Sequence, residues 1–307
     1  MIVVREIARL RGELAPHRRA ARAIGLVPTM GALHEGHLSL VRRARELDDV
    51  VVVSLFVNPT QFDDPDDLRA YPRNERRDRE LLERLGVEYL FAPDAREMYP
   101  GGFSTTIHVS GVSEPLEGAV RGVGHFDAVA TVVAKLLNIV APHRAYFGAK
   151  DAQQVAVIKR LVRDLDMPVG IEVCPTVRED DGLALSSRNQ LLADADRARA
   201  PALSRALVAV AAAAGQGRAR EQALAAGLAQ LESAGIQPDY LEIVDPSTMK
   251  PAPPDGGERL AVVAARLGGV RLIDNLALDE RGQSHGPASA RSTRNAMATP
   301  AGAPTDR

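Results

Sequence analysis

Four stretches of the 307-residue chain concentrate the side chains that could do chemistry. In PTMGALHEGHLSL (28–40), His34 and His37 stand three residues apart, with Gly31 and Gly36 beside them. Imidazoles at a helix start can hydrogen-bond anionic oxygens or carry a proton, and glycines let backbone N–H groups and the positive helix end approach a phosphate. Spacing excludes two rivals: a zinc protease needs His-Glu-x-x-His, and a Walker loop needs Gly-Lys-Ser/Thr. Two incidental histidines remain the alternative. In FVNPTQF (56–62), Asn58 and Gln61 carry amides that both donate and accept, suiting hydroxyl and carboxylate groups. In FGAKDAQQ (147–154), Lys150 is one of only four lysines among 38 basic residues, so a compact ammonium is favoured there. Asp151 could accept from ribose hydroxyls or cap a helix, and Gln153 or Gln154 could face a substrate. In PTVREDDGLALSSRNQLL (175–192), Ser186, Ser187 and Arg188 could close on a polyphosphate through hydroxyls and a guanidinium fork, or form a serine-capped connection.

The elements around these stretches put them on one edge. Residues 23–28 and 49–57 read as strands, the second apolar on both faces as in a parallel sheet, with a helix over 37–47 between them. Asn74 caps a charged helix ending at Gly86, followed by a strand at 87–91. A short strand over 105–109, a flexible glycine-bearing loop over 114–125 that could act as a lid carrying His125, and a helix from about 129 to 140 come next. Strand 144–148, helix 151–165 and strand 169–174 complete the alternation. This pattern predicts an α/β doubly wound, Rossmann-like parallel sheet, whose ligand crevice lies beyond the carboxyl ends of the strands. Helices over 194–214 and 218–234 with strands near 239–244, 259–265 and 270–274 predict a smaller C-terminal α+β domain. The boundaries are 1–185 and 186–279, and 280–307, rich in Gly, Pro, Ser, Ala and Thr, reads as a disordered tail. No repeat of 20–50 residues occurs.

Composition removes whole function classes. Net charge is −2, which leaves no basic excess for nucleic acid. No run of apolar residues approaches membrane-spanning length, and no signal-peptide pattern opens the chain, so the expected location is cytoplasmic. The single cysteine, Cys174, rules out an internal disulfide and reads as a buried hydrophobe in a strand. Asp180 and Asp181 read as an exposed turn rather than a magnesium site, and ERRDRELLER (75–84) as a solvated helix face. The four clusters supply charge neutralisation and positioning but no covalent nucleophile, the profile of phosphoryl or nucleotidyl transfer.

PTMGALHEGH, FVNPTQF, the YPR of 71–73, FGAKDAQQ and PTVREDDGLALSSRN together resemble the pantothenate synthetases (pantoate–β-alanine ligases), a nucleotidyltransferase-superfamily group with a His-x-Gly-His motif; the resemblance spans about 1–280. It implies ATP-dependent joining of (R)-pantoate to β-alanine through a pantoyl adenylate, releasing pyrophosphate and then AMP. It also implies Mg²⁺ bound mainly through ATP phosphates, no dedicated metal ligands, and a homodimer. Carried over by position, the ATP site would comprise Pro28, Met30, Gly31, Ala32, Leu33, His34, Glu35, Gly36 and His37, then Gly148, Ala149, Lys150 and Asp151, then Val177, which would meet adenine, and the closing loop of Leu185, Ser186, Ser187 and Arg188. His34, His37, Lys150 and Arg188 would be catalytic, His37 in the role the family labels proton donor. Gln61, Gln154 and Asn58 would serve pantoate and β-alanine. Ala149 stands where the family commonly has Glu, and Leu185 where it commonly has Met. A nucleotidyltransferase acting on another acceptor and a non-catalytic nucleotide-binding protein are the competing expectations.

Overall fold

The computed structural model describes residues 1–62, 65–253 and 257–278. Among these residues nine strands form two sheets: β1 (Ile2–Val4), β2 (Ile24–Thr29), β3 (Val50–Leu55), β4 (Tyr89–Phe91), β5 (Arg144–Gly148) and β6 (Gly170–Cys174), then β7 (Pro238–Val244), β8 (Arg259–Leu267) and β9 (Val270–Leu278). The first six are all parallel, in the order β1-β4-β3-β2-β5-β6. From β2 the chain builds outward through β3 and β4 on one side, then returns to build through β5 and β6 on the other. The crevice at this reversal, between the carboxyl ends of β2 and β5, is where an open α/β sheet binds its ligand. The doubly wound sheet expected from the alternation is borne out.

Eleven α-helices among the described residues accompany the strands: α1 (Ile7–Arg19), α2 (Glu35–Leu47), α3 (Pro65–Ala70), α4 (Glu75–Arg84), α5 (Ala95–Met98), α6 (Glu117–Arg121), α7 (Val123–Val140), α8 (Ala152–Asp164), α9 (Asp194–Arg199), α10 (Ala202–Gly215) and α11 (Arg220–Ser233). Period-two alternation divides the central strands between two cores. Ile24, Leu26, Val50 and Val52 face α1 and α7, whereas Val27, Val51 and Val53 face α2 and α4. Burial on both faces explains the unbroken VVVV of β3.

The second sheet is antiparallel, in the order β7-β8-β9. Within β8, Ala261 and Val263 pack toward α10 and α11, while Leu260 and Val262 pack against Ala156, Val157 and Leu161 of α8. A sheet covered on both faces thus docks onto the parallel layer. The two helices above it approach closely at Gly227, where a Cβ would lie 2.6 Å from Val210.

Several local expectations give way. Residues 105–109 form no strand: alternation without a partner strand makes no ladder. Most of the segment 114–125 is not a loop: after a turn at 114–116, α6 and the start of α7 occupy it and place His125 in a helical first turn, with Gly122, at φ +88°, between the two helices. The alanine-rich helix divides at Pro201 into α9 and α10. β1 and α1 escaped the pattern, one for its three residues, the other for its charged sequence with an internal Pro16. The turn at 180–181 is exposed as expected. The tail reading falls on residues outside those described.

Candidate active site

The four clusters follow β2, β3, β5 and β6, four neighbouring strands, and line one continuous crevice. Its two lobes share Met30, Gln61, Lys150, Asp151, Gln154, Ser186 and Arg188. One lobe runs along His34, His37, Gly148, Pro175 and Val177. The other runs toward β9, past Glu117, Arg121 and His125.

At the end of β2 the chain turns through Gly31 (φ +85°) and Ala32 (φ +51°), a left-handed pair that needs external support. Asp78 supplies it. Its two carboxylate oxygens accept from the N–H groups of Ala32 and Leu33, each at 2.9 Å, and the residue is 1 % exposed. The charged run of α4 is therefore not simply a solvated face. Burial is the main influence on this carboxyl and pushes its pKa up, against the two backbone donors.

The histidines then cap α2 reciprocally. His34 Nδ1 accepts from the Gly36 N–H at 3.2 Å, and His37 Nδ1 accepts from the His34 N–H at 3.4 Å. Their rings lie 4.1 Å apart. An Nδ1 that accepts must be unprotonated, so in each neutral ring the hydrogen sits on Nε2, which no described residue engages. Burial lowers the His37 pKa to about 3, with His34 and Lys150 adding to the shift; burial and Lys150 lower that of His34. Both imidazoles are neutral at pH 7. The N–H groups of Gly31, Ala32, Leu33, His34, Gly36 and His37 are all bonded within the protein. The donors at this helix start are thus chiefly side-chain Nε2–H groups, not the free backbone anticipated from sequence. Met30, which precedes the turn, lines both lobes, and Glu35 faces outward, paired with Arg42. Pro28 lines the His34 lobe.

At the end of β3, Asn58 is 1 % exposed and fully engaged. Its Oδ1 accepts from the Thr60 hydroxyl (2.9 Å) and the Tyr99 hydroxyl (2.8 Å), and its Nδ2 donates to Gln61 Oε1 (3.1 Å). Gln61 in turn points Nε2 toward the Met30 sulfur at 3.0 Å. Asn58 therefore shapes the cluster, and Gln61 offers an amide nitrogen to the crevice.

At the end of β5, Lys150 Nζ donates to Asp151 Oδ1 at 3.2 Å. Asp151 stands at the start of α8 without making a capping bond, so its carboxylate is not committed to the helix. Burial opposes its ionisation, but Lys150, Arg188 and His37 outweigh burial and hold its pKa below the ordinary value. Of the two glutamines, Gln153 has its amide engaged by Glu117 N, Val112 O and Pro115 O, and Gln154 lines both lobes. Asn275 of β9 donates to the carbonyls of Ala149 and Lys150.

After β6, where Cys174 is buried, the Val177 carbonyl accepts from Leu185 N–H at 2.9 Å and closes the hairpin-like turn. Ser186 Oγ accepts from Arg188 N–H at 3.2 Å, Ser187 is buried, and Leu185 lines the His34 lobe. Asp78, Tyr99 and Asn275 were missed by sequence reasoning. The signals present were weak: one acid on the apolar side of a charged helix, and an Asp-Asn pair inside an apolar strand. Among the described residues no three His, Cys, Asp or Glu side chains gather as a metal site.

A parallel sheet with a histidine-capped helix at its reversal point, and lysine, arginine and amide side chains converging on one crevice, defines a Rossmann-type α/β enzyme. The family model described as pantoate–beta-alanine ligase matches residues 2–277, and the chain belongs to that family. The pantothenate synthetase of Cereibacter sphaeroides is 54% identical over 275 residues, covering 89% of this chain and 98% of that protein. The crystal structure of pantothenate synthetase from Thermus thermophilus superposes with a TM-score of 0.86 at 49% identity, over 92% of this chain and 99% of that one. The pantoate–beta-alanine ligase of Francisella tularensis, solved in complex with beta-gamma ATP and β-alanine, superposes with a TM-score of 0.76 at 35% identity, over 94% and 100%. The resemblance drawn from the separated motifs is borne out, and the chain is a ligase.

Proposed function

We propose that this crevice joins (R)-pantoate to β-alanine in two steps. A pantoate carboxylate oxygen attacks the α-phosphorus of ATP, the bond to the β-phosphate oxygen breaks, and pyrophosphate leaves. The deprotonated β-alanine amine then attacks the acyl carbon, the bond to the AMP oxygen breaks, and pantothenate and AMP separate. A carboxylate is a poor acyl donor until its oxygen belongs to a good leaving group, which is why ATP is consumed.

The observation that carries this reading is the pair of neutral imidazoles aiming Nε2–H into the crevice that Lys150 and Arg188 also line. Charge that builds on phosphate oxygens during adenylation would meet donors already oriented. For His37, the site favours hydrogen-bond stabilisation over proton donation, because a ring held at a pKa of about 3 carries no extra proton to give at pH 7. Lys150 would neutralise phosphate, Asp151 would accept from ribose hydroxyls, Val177 would border adenine, and the Ser186–Arg188 loop would close on the phosphates. Gln61 and Gln154 would orient pantoate, with Asn58 fixing the Gln61 amide.

Mg²⁺ fits only as a passenger on the triphosphate. Glu117 and Asp274 are held by arginines and Asp151 by Lys150, so among the described residues each crevice carboxylate already has a cationic partner. The cation would screen phosphate charge. We also propose a cytoplasmic homodimer, with a domain boundary at 185/186. Among the described residues no helix is long and apolar enough to cross a membrane.

Pure protein given ATP, Mg²⁺, pantoate and β-alanine should form AMP, pyrophosphate and pantothenate in equal amounts; with β-alanine omitted, pyrophosphate release should stop near one per site. Sustained pyrophosphate release with another acceptor, or ATP binding without any turnover, would replace this reading with one of its two competitors.

A further inference from the structure

We propose that the adjacent residues Asp274 and Asn275 of β9 form a clasp that sets the separation of Lys150 from the Ser186–Arg188 loop, making Asn275 a positioning residue for the nucleotide phosphates. This inference rests on the assignment of those two segments to phosphate.

Asn275 is 7 % exposed, and its Nδ2 donates to Ala149 O at 2.9 Å and to Lys150 O at 2.8 Å. Both partners are carbonyls, which can only accept, so the amide has one orientation; flipped, its oxygen would face two oxygens. The 149–151 turn is a single 3-10 turn, and these two bonds anchor it to the neighbouring sheet. On the other side, Asp274 accepts from Arg178 Nη1 at 2.7 Å and Nη2 at 3.0 Å, and the Asn275 carbonyl accepts from Arg178 Nη2 at 3.1 Å. Arg178 Nη1 also holds the Gly182 carbonyl at 3.0 Å. Arg178 and Ala184 pair across the turn that leads directly into Ser186. Two neighbouring β9 residues therefore grip the segment after β5 with one side chain and the segment after β6 with the other. A strand from the antiparallel sheet thereby fixes the gap across which a polyphosphate would lie. Apolar packing could dock that sheet, but it could not place two specific carbonyls. Both carbonyls belong to the turn that carries Lys150.

Titration calorimetry of Mg²⁺–ATP against the full chain and five variants tests the clasp. Asn275→Ala should weaken binding roughly tenfold, about 1.4 kcal/mol. Asn275→Ser, which keeps one donor and removes less bulk, should give an intermediate loss. Combining Asn275→Ala with Lys150→Ala should bind no more weakly than Lys150→Ala alone, within about twofold, because the amide acts through the lysine's backbone. Arg220→Ala, in the same sheet-and-helix layer but far from the crevice, should leave ATP binding unchanged, which separates positioning from general loosening. Unaltered binding in both Asn275 variants, or fully additive losses in the double variant, would overturn the clasp alone. If the wild-type chain binds no ATP, the functional reading falls, and the clasp with it.

Discussion

At the amino ends of the parallel strands, polar side chains close on one another. Asp48 accepts from Arg144 at 2.7 Å and from the Tyr146 hydroxyl, Asp49 accepts from Ala23 N–H at 2.8 Å, and His17 uses both ring nitrogens, one with Arg22 at 3.2 Å and one with the Tyr89 hydroxyl at 2.9 Å. At the carboxyl ends the histidines are engaged on one side only. His34 and His37 give Nδ1 to the helix start and keep Nε2 for the crevice, and Gln61 gives its oxygen to Asn58. Residue type does not separate the two ends. What separates them is that the amino-end groups spend themselves on one another, while at the carboxyl end the two histidines spend one ring nitrogen on the fold and keep the other aimed at the crevice.

Substitutions should therefore have different signatures at the two ends. The largest effect belongs to His37→Ala and Lys150→Ala, each expected to lower kcat for pantoate-dependent pyrophosphate release by about 10²–10³, with little change in unfolding free energy. Equal losses of stability and activity would erase the distinction between the two ends. Asp78→Ala should show both signatures: two buried N–H groups lose their acceptor, so stability in urea falls by about 2–4 kcal/mol and kcat/KM for ATP falls with it. Asp48→Ala, at the opposite end, should lose a similar 2–4 kcal/mol while kcat stays within about twofold of wild type.

A subtler difference lies in pH. His37, with a folded pKa of about 3, gains no proton between about pH 5.5 and 8, so kcat/KM should show no His37 inflection there. An acid limb near pH 6.5 that disappears in His37→Gln would contradict neutral-donor catalysis. The stability sign follows from the same shift. Below pH 6.5 the unfolded chain binds protons that the folded chain refuses, so stability should decline from pH 6.5 toward about 3, and His37→Gln should flatten part of that decline. The smallest effect is expected for His17→Gln: about 1 kcal/mol or less of stability and no change in turnover.

The four clusters were legible in the sequence because each is a contiguous run in which strand end, turn and helix start carry their own chemistry. The parallel sheet was legible for the same reason, in the apolar runs of β2 and β3 and the helical spacing between them. The supports were not legible. Asp78 acts on a turn 46 positions earlier, Tyr99 on an amide 41 earlier, and Asn275 on carbonyls 126 and 125 earlier, and nothing local distinguishes such residues from a solvated acid, a loop tyrosine or a strand asparagine. The segment 105–109 erred the other way, since alternation describes a face and not a partner. The Glu-to-Ala difference at position 149 also reads differently in the fold: what that residue gives to Asn275 is its carbonyl, which any residue type would supply.

Cys174 ends β6 where the chain enters the wall of the His34 lobe, and it is the sole thiol of the protein, 4 % exposed with burial pushing its pKa up to about 11. The molecule thus carries a built-in chemical clock. A thiol reagent can modify it only during moments when that wall opens, and each modification is a count of one. The labelling rate of the unmodified chain reports how often the crevice wall loosens, and any ligand that braces the wall should slow that rate without a dye, a tag or a substitution.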